Sequence, residues 1–303
     1  LSPAKVRDFL VKDCEKRLAL PPNSNTIIMS HQLLKGKKGI IFGALNDKSI
    51  AWKVAERAYE EGAEIVLTNA PIAMRMGEIN QLAEKCGNAL VIPADATKVD
   101  ELENLFKQAM EHLGGPVDFV LHSIGMSPNV RKKKHYTDLK YEWYHQTLDV
   151  SAMSLHKTLA VAKKQDALNE WGSVVALTYI AAQRIFPDYG DMADAKSLLE
   201  SITRSFGYHY GIAKKVRVNT ISQSPTVTTA GSGVKGFDEF INFSEMMSPL
   251  GNADALACAD YCVSMFSDLT RYVTMQNLFH DGGFSSTGVT QPVIEKFGND
   301  PEA

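Results

Sequence analysis

An α/β fold with one doubly wound parallel sheet is predicted by three features of the sequence. From Lys37 onward, short apolar runs alternate with stretches of helical periodicity. The runs are continuous, not alternating, as strands covered on both faces require. No fixed repeat or low-complexity tract interrupts the rhythm, and no apolar run reaches the ~18 residues of a membrane-spanning helix.

The elements follow in order. Gly39 to Gly43 is a short strand ending in glycine, and Ser49 to Glu61 is a helix stopped at Gly62. Glu64 to Thr68 is the second strand, followed by a helix over Gly77 to Cys86. Ala89 to Pro93 is the third, with a helix over Val99 to Leu113. Asp118 to His122 is the fourth strand, and a long helical stretch separates it from the fifth, Ser173 to Leu177. A helix over Asp191 to Tyr210 precedes the sixth strand, Val216 to Ile221. The seventh is Gln276 to His280. Right-handed crossovers should join them into a single Rossmann-type domain, a parallel seven-stranded sheet with helices on both faces.

Composition fits a soluble, cytoplasmic globular protein: 303 residues, 45% hydrophobic and 22% charged, with a net charge of -3. That charge gives no footprint for nucleic acid. Four cysteines (Cys14, Cys86, Cys258, Cys262) are too few for a disulfide scaffold and suit a reducing compartment. Cys258 and Cys262 read as core packing, since no second Cys/His pair completes a zinc set. No metal is expected. Residues 1–32 stand apart as an N-terminal extension with a short charged helix and a Pro-Pro breaker; Met29 reads as a natural start, or the segment as a native arm in oligomer contacts. The main domain spans 33–290, and 291–303 reads as a C-terminal tail.

Ligands of such sheets bind beyond the C-terminal strand ends. Gly43 allows a tight turn after strand one, and Ser49 can cap the next helix, whose positive end suits a pyrophosphate. The same residues also suit a plain strand–loop–helix joint. A literal G-x-G-x-x-G at Gly231 to Gly236 falls after strand six and fails the context test. The strand-two end, Thr68-Asn69-Ala70-Pro71, holds no carboxylate for a ribose, which leaves NADH and NADPH open. Asp95 can meet an adenine amino group or cap a helix. Ser123, Ile124 and Gly125 bring backbone toward a nicotinamide ribose.

Tyr189 and Lys196 stand seven residues apart, which in a helix returns them to one face about 10 Å apart. The phenol can then donate to a developing oxyanion while the ammonium holds ribose hydroxyls. A surface ring and a solvated charge would share the spacing.

Tyr-x6-Lys, with the further Tyr179 at the end of strand five, resembles the enoyl-acyl-carrier-protein reductases of the short-chain dehydrogenase/reductase superfamily. The likeness spans about Leu33 to Gly288. Gly43 with Ser49-Ile50-Ala51, His122 to Gly125, Pro187-Asp188-Tyr189, Ala195 to Leu198, Arg217-Val218-Asn219 and His280 to Phe284 look like the family's motifs. The resemblance implies reduction of the 2,3 double bond of an enoyl thioester on acyl carrier protein, in fatty-acid elongation, by NADH. It implies cofactor contacts at Gly43, Ser49, Ile50, Asp95, Ala96, Ser123, Ile124, Gly125 and Lys196, and at Thr226, Val227, Thr228, Thr229 and Ala230. It implies that Tyr189 meets the thioester carbonyl, with Tyr179 and Ser127 on the substrate side. Residues 226–247 become a substrate-binding loop with Phe237 and Phe240 as its apolar wall.

Homotetramers are usual for the family, and neither nucleic acid nor membrane is an expected partner. Lys235 is the carrier contact by position; Arg131-Lys132-Lys133-Lys134 is the densest cationic run, with a solvated loop as its plainer meaning. Two departures are Ala70 in place of a polar ribose contact and Ser224-Pro225-Thr226 in place of Gly-Pro-Ile. The x6 spacing has a rationale: hydride goes to carbon 3, so the oxyanion forms further from the nicotinamide, and a tyrosine one turn further from the lysine follows it. The alternatives are a carbonyl or alcohol dehydrogenase of the same superfamily and a dinucleotide-binding sensor without turnover.

Overall fold

The computed structural model describes residues 30–75, 78–228 and 236–298. The chain divides into two units, Leu1–His31 and Gln32–Ala303, and the fold is that of the second. Its strands are β1 (Lys38–Phe42), β2 (Glu64–Thr68), β3 (Leu90–Val91), β4 (Val117–His122), β5 (Leu168–Thr178), β6 (Arg217–Gln223) and β7 (Asn277–His280). Its longer helices are α1 (Ile50–Glu60), α2 (Ile79–Lys85), α3 (Val99–Leu113), α4 (Tyr141–Leu148), α5 (Ser154–Lys164), α6 (Gly190–Lys214), α7 (Phe237–Met247), α8 (Ala255–Phe266) and α9 (Gln291–Gly298).

The strands pair in parallel throughout, in the order β3-β2-β1-β4-β5-β6-β7. Alternate strand residues feed two cores, as the pleat dictates. Ile40, Val120, Val174 and Val218 meet α3, α5 and α6 on one face. Ile41, Leu121, Val175 and Ile221 meet α1, α2 and α8 on the other, where Cys258 and Cys262 are buried.

Helix α3 shows why the periodic segments fold as they do. Leu102, Leu105, Phe106, Ala109 and Leu113 form one buried stripe. Asp100 and Glu101 lie at the positive N-terminal end, and Gly114, at φ +70, ends the helix in the left-handed conformation.

Several boundaries differ from the sequence expectation. Strand β5 begins at Leu168, five residues early, because Asn169 and Glu170 break the apolar signal and Trp171 takes a positive φ of 63°. Strand β3 pairs over two residues. Helix α6 runs past Tyr210 to Lys214; its Gly207 is no breaker, since a Cβ there would come within 2.6 Å of Met275. The expected tail contains α9, ahead of which Thr290 Oγ1 donates to the Met246 carbonyl at 2.6 Å. Among the described residues no helix is long and apolar enough to cross a membrane.

Candidate active site

Strand order reverses between β1 and β4, and their C-terminal ends open the crevice that such sheets use for ligands. Gly43 takes φ +96, and a Cβ there would sit 2.0 Å from the Ser123 carbonyl oxygen. Only glycine lets the two strand ends approach this closely.

Ser49 is not the side-chain cap expected of it. Its Oγ donates to the Asn46 carbonyl at 2.7 Å and accepts from Leu45 N at 3.2 Å, closing the loop on itself. Ser49 makes no side-chain capping bond to the first turn of α1, which begins at Ile50. Asn69, passed over in the sequence for want of a charge, donates to the Ala44 carbonyl at 3.0 Å and so ties the β2 end to the glycine turn.

Asp95 does not cap α3 either: Oδ1 accepts from Thr97 N at 2.9 Å and Thr97 Oγ1 at 2.8 Å. Ala96 is buried, Ser123 and Ile124 half-buried, and Gly125 exposed. Ser151 grips the next residue from both sides, with Oγ accepting from Met126 N and donating to the Met126 carbonyl.

The Tyr189–Lys196 pair is assembled differently from the expectation of one helix face. Pro187–Tyr189 is a 3-10 turn, and α6 starts only at Gly190, whose φ of 51° and ψ of -139° break the helical path. Tyr189 therefore stands outside the helix that carries Lys196. Tyr189 and Tyr179 pack ring to ring with centroids 5.2 Å apart. Lys196 Nζ donates to the Leu177 carbonyl at 2.8 Å, two residues before Tyr179. A Cβ on Gly125 would lie 3.8 Å from the same Nζ. The ends of β4, β5 and α6 thus converge.

Burial governs the ionisation here. It pulls the Lys196 ammonium down to about 8, against the opposing pull of Glu200. It pushes both phenols above the ordinary tyrosine range, so each remains a proton-bearing donor at neutral pH. The Tyr179 hydroxyl is buried and has no hydrogen-bond partner among the described residues. Around the pair, Phe186 meets Tyr179 at 5.3 Å, and Phe240 of α7 meets both Phe186 (5.1 Å) and Tyr179 (6.3 Å).

Ser127 lies deep in the same wall. It is 3% exposed, and its Oγ donates to Asp191 Oδ1 at 2.6 Å and accepts from Val130 N. A hydroxyl so committed supports the wall. Asp191 also accepts from Asn129 (2.8 Å) and Thr147 (2.9 Å). Glu200, one turn past Lys196, accepts from Thr178, Gln183 and Asn277 at 3.0–3.1 Å. Both carboxylates were missed in the sequence, although the Lys196/Glu200 spacing of four is a readable helix pair.

Past β6, Thr226 Oγ1 donates to the Ser224 carbonyl at 3.0 Å, Val227 is exposed and Thr228 half-buried. Thr229, Ala230, the glycines 231 and 233, Lys235 and the Phe237 side chain lie outside the described residues.

A glycine turn at a topological switch point, two facing phenols and a buried lysine define a dinucleotide-dependent oxidoreductase of the short-chain dehydrogenase/reductase class. The model of the family described as Enoyl-(Acyl carrier protein) reductase matches residues 43–285, and the chain belongs to that family. An enoyl-[acyl-carrier-protein] reductase [NADH] of Rhizobium meliloti is 31% identical over 85% of this chain and 93% of its own length. The FabI reductase [NADH] of Rickettsia conorii is 32% identical over 87% of this chain and all of its own. Among solved structures, a FabI–NADH complex from Alistipes finegoldii is 66% identical with a TM-score of 0.85, covering 86% of this chain and 92% of its own. The chain is an enoyl-acyl-carrier-protein reductase.

Proposed function

We propose that NADH is the reductant and that the side chains divide between holding it and meeting the negative charge that develops on the substrate. The residues present suit a dinucleotide. Any Cβ would fill the Gly43 cradle, Ser49 leaves the first turn of α1 without its side-chain cap, and the Lys196 ammonium lies beside the exposed Gly125. In this reading Gly43, Ser49 and Ile50 hold the pyrophosphate. Asp95 and Ala96 meet the adenine, and Ser123, Ile124, Gly125 and Lys196 take the nicotinamide ribose. Thr226 through Ala230 close the nicotinamide end. The NADH in the names of the two curated relatives supports the choice of cofactor.

When bound, NADH supplies the hydride for carbon 3 of the enoyl thioester. Tyr189 donates a hydrogen bond to the thioester oxygen as it gains charge, and burial favours that bond over one to water. Tyr179, Phe240 and Phe237 shape the acyl side. Lys196 anchors the ribose and adds positive charge, and carbon 2 takes its proton from solvent. The carrying observation is the Tyr179–Tyr189 ring pair beside the strand end whose carbonyl fixes Lys196.

The test is NADH oxidation with a crotonyl and an acetoacetyl thioester. Only the first should be turned over. Tyr189→Phe should lower kcat about 10²–10³-fold with NADH affinity kept. An unchanged kcat would remove Tyr189 from its role.

The same reading takes residues 33–290 as the reductase domain of a cytoplasmic homotetramer whose partner is the carrier protein, not nucleic acid or membrane. The buried free thiols Cys86, Cys258 and Cys262 suit a reducing compartment. The exposed Tyr208 and Ile212 on α6 offer apolar surface for a subunit contact.

A further inference from the structure

Four consecutive cations, Arg131 to Lys134, are all exposed. None takes part in the ion pairs found among the described residues. Packed into one stretch, they repel one another, yet the backbone beneath them is tightly specified. Lys132, Lys133 and Lys134 donate their amides to the carbonyls of Pro128, Val130 and Asn129 at 3.0, 2.9 and 3.1 Å. Lys133 holds a left-handed φ of 53°, a conformation unusual for a lysine.

The base of the loop is clamped by Asn129. It is fully buried, and its side chain accepts from Lys140 N and donates to the Lys140 carbonyl and to Asp191 Oδ2. Asp191 stands two residues after Tyr189. Val130 clusters with Met192 and Ala195, with Tyr189 packed against them. The cations therefore stand on the rim of the tyrosine site, on a loop whose shape is fixed in advance.

The rim contributed by α7 has the opposite sign. That helix opens with Asp238 and Glu239, both exposed, and its Phe240 touches Tyr179. A rim that carries both cations and carboxylates orients a charged partner as well as attracting it.

We propose that Arg131, Lys132, Lys133 and Lys134 are the docking surface for the acidic carrier protein that delivers the enoyl chain, which rests on the reading that the substrate arrives as a carrier-bound thioester. The carboxylates of α7 repel the same partner and set its register. Rim charges of this kind act on encounter rate and are screened by salt.

The test compares crotonyl-acyl carrier protein with crotonyl N-acetylcysteamine, an uncharged thioester that has no carrier to dock. The variant combines Arg131→Ala, Lys132→Ala, Lys133→Asn and Lys134→Ala, asparagine being chosen because it tolerates the left-handed backbone. The KM for the carrier substrate should rise about tenfold or more and lose most of its salt dependence, while kcat and the kinetics of the small thioester stay as in the wild type. A carrier KM within about twofold of wild type overturns the proposal, as does an equal loss on both substrates. If the fourfold variant does not fold, Lys134→Glu alone carries the same comparison. A wild-type enzyme that turns over the small thioester but not the carrier-bound one would overturn the underlying reading instead.

Discussion

Lys196 bears two opposed demands. The proposed cofactor contact needs its ammonium, and burial disfavours it, moving it from 10.5 to about 8. The folded protein therefore releases this proton near pH 8, whereas the unfolded chain keeps it until about 10.5. Between those values the unfolded state binds more protons, so the cofactor-free enzyme gains stability from this group as pH rises. Below about pH 8 the burial penalty is present in full. NADH affinity should run the other way and weaken as pH rises through 8. Lys196→Met should raise the thermal midpoint of the free protein at pH 7 and weaken NADH binding at least tenfold. Differential scanning fluorimetry and a fluorescence titration check the two halves; a lower midpoint would show that the ammonium is compensated in place. Tyr189 teaches a separate lesson. The seven-residue spacing to Lys196 identified the pair, but for a geometric reason that does not hold. Gly190 breaks the path, so the phenol is not carried one turn further along the same helix. The 3-10 turn before the glycine and the Tyr179 ring set its position.

At the level of elements, the Arg217-Val218-Asn219 motif supports the fold and not the chemistry. Arg217 opens β6 at the end of the sheet away from the site. Its guanidinium donates to the carbonyls of Met265 (2.8 Å), Ser267 (3.2 Å) and Thr270 (3.0 Å), so it caps the C-terminus of α8. Asn219 likewise ties β6 to the segment leading into β7, through Val273 and Gln276. Arg217→Met should cost on the order of 2 kcal/mol by leaving buried carbonyls unpaired, read as a lower denaturant midpoint with little change in kcat for the folded fraction. An unaltered midpoint would mean that water replaces the guanidinium. The motif was visible in the sequence; its place on the wrong end of the sheet for catalysis was not. All seven strands were legible as short runs between helical stretches, but α8 was not expected as a helix, Cys258 and Cys262 being read only as core packing. Strand starts were less legible, because Asn169 and Glu170 at the head of β5 look like a turn. The aromatic wall was half legible. Phe240 stood out by its apolar helical face, but Phe186 became visible only when Pro187 turned the chain back on Tyr179. The buried carboxylates Asp191 and Glu200 were missed in the sequence because their donors come from segments 17 to 77 residues away.

For the whole molecule, sedimentation equilibrium should return about four times 33.3 kDa, and Ile212→Asp should shift the distribution toward smaller species by placing a charge in an apolar contact. A monomer in the wild type would end the tetramer reading. The sheet also separates two kinds of residue. Gly43, Gly125, Tyr179, Tyr189 and Lys196 gather at the C-terminal strand ends. At the opposite ends, Asp118 accepts from Lys38 N (2.8 Å) and Asn169 (2.9 Å), and Arg217 holds α8. Fold-supporting ties and the residues of the proposed site thus gather at opposite ends of one sheet. Hardening the enzyme against heat through the lower pole leaves its reactive pole untouched, and a lineage under new chemical pressure can remodel the upper loops while the girders beneath stay as they are.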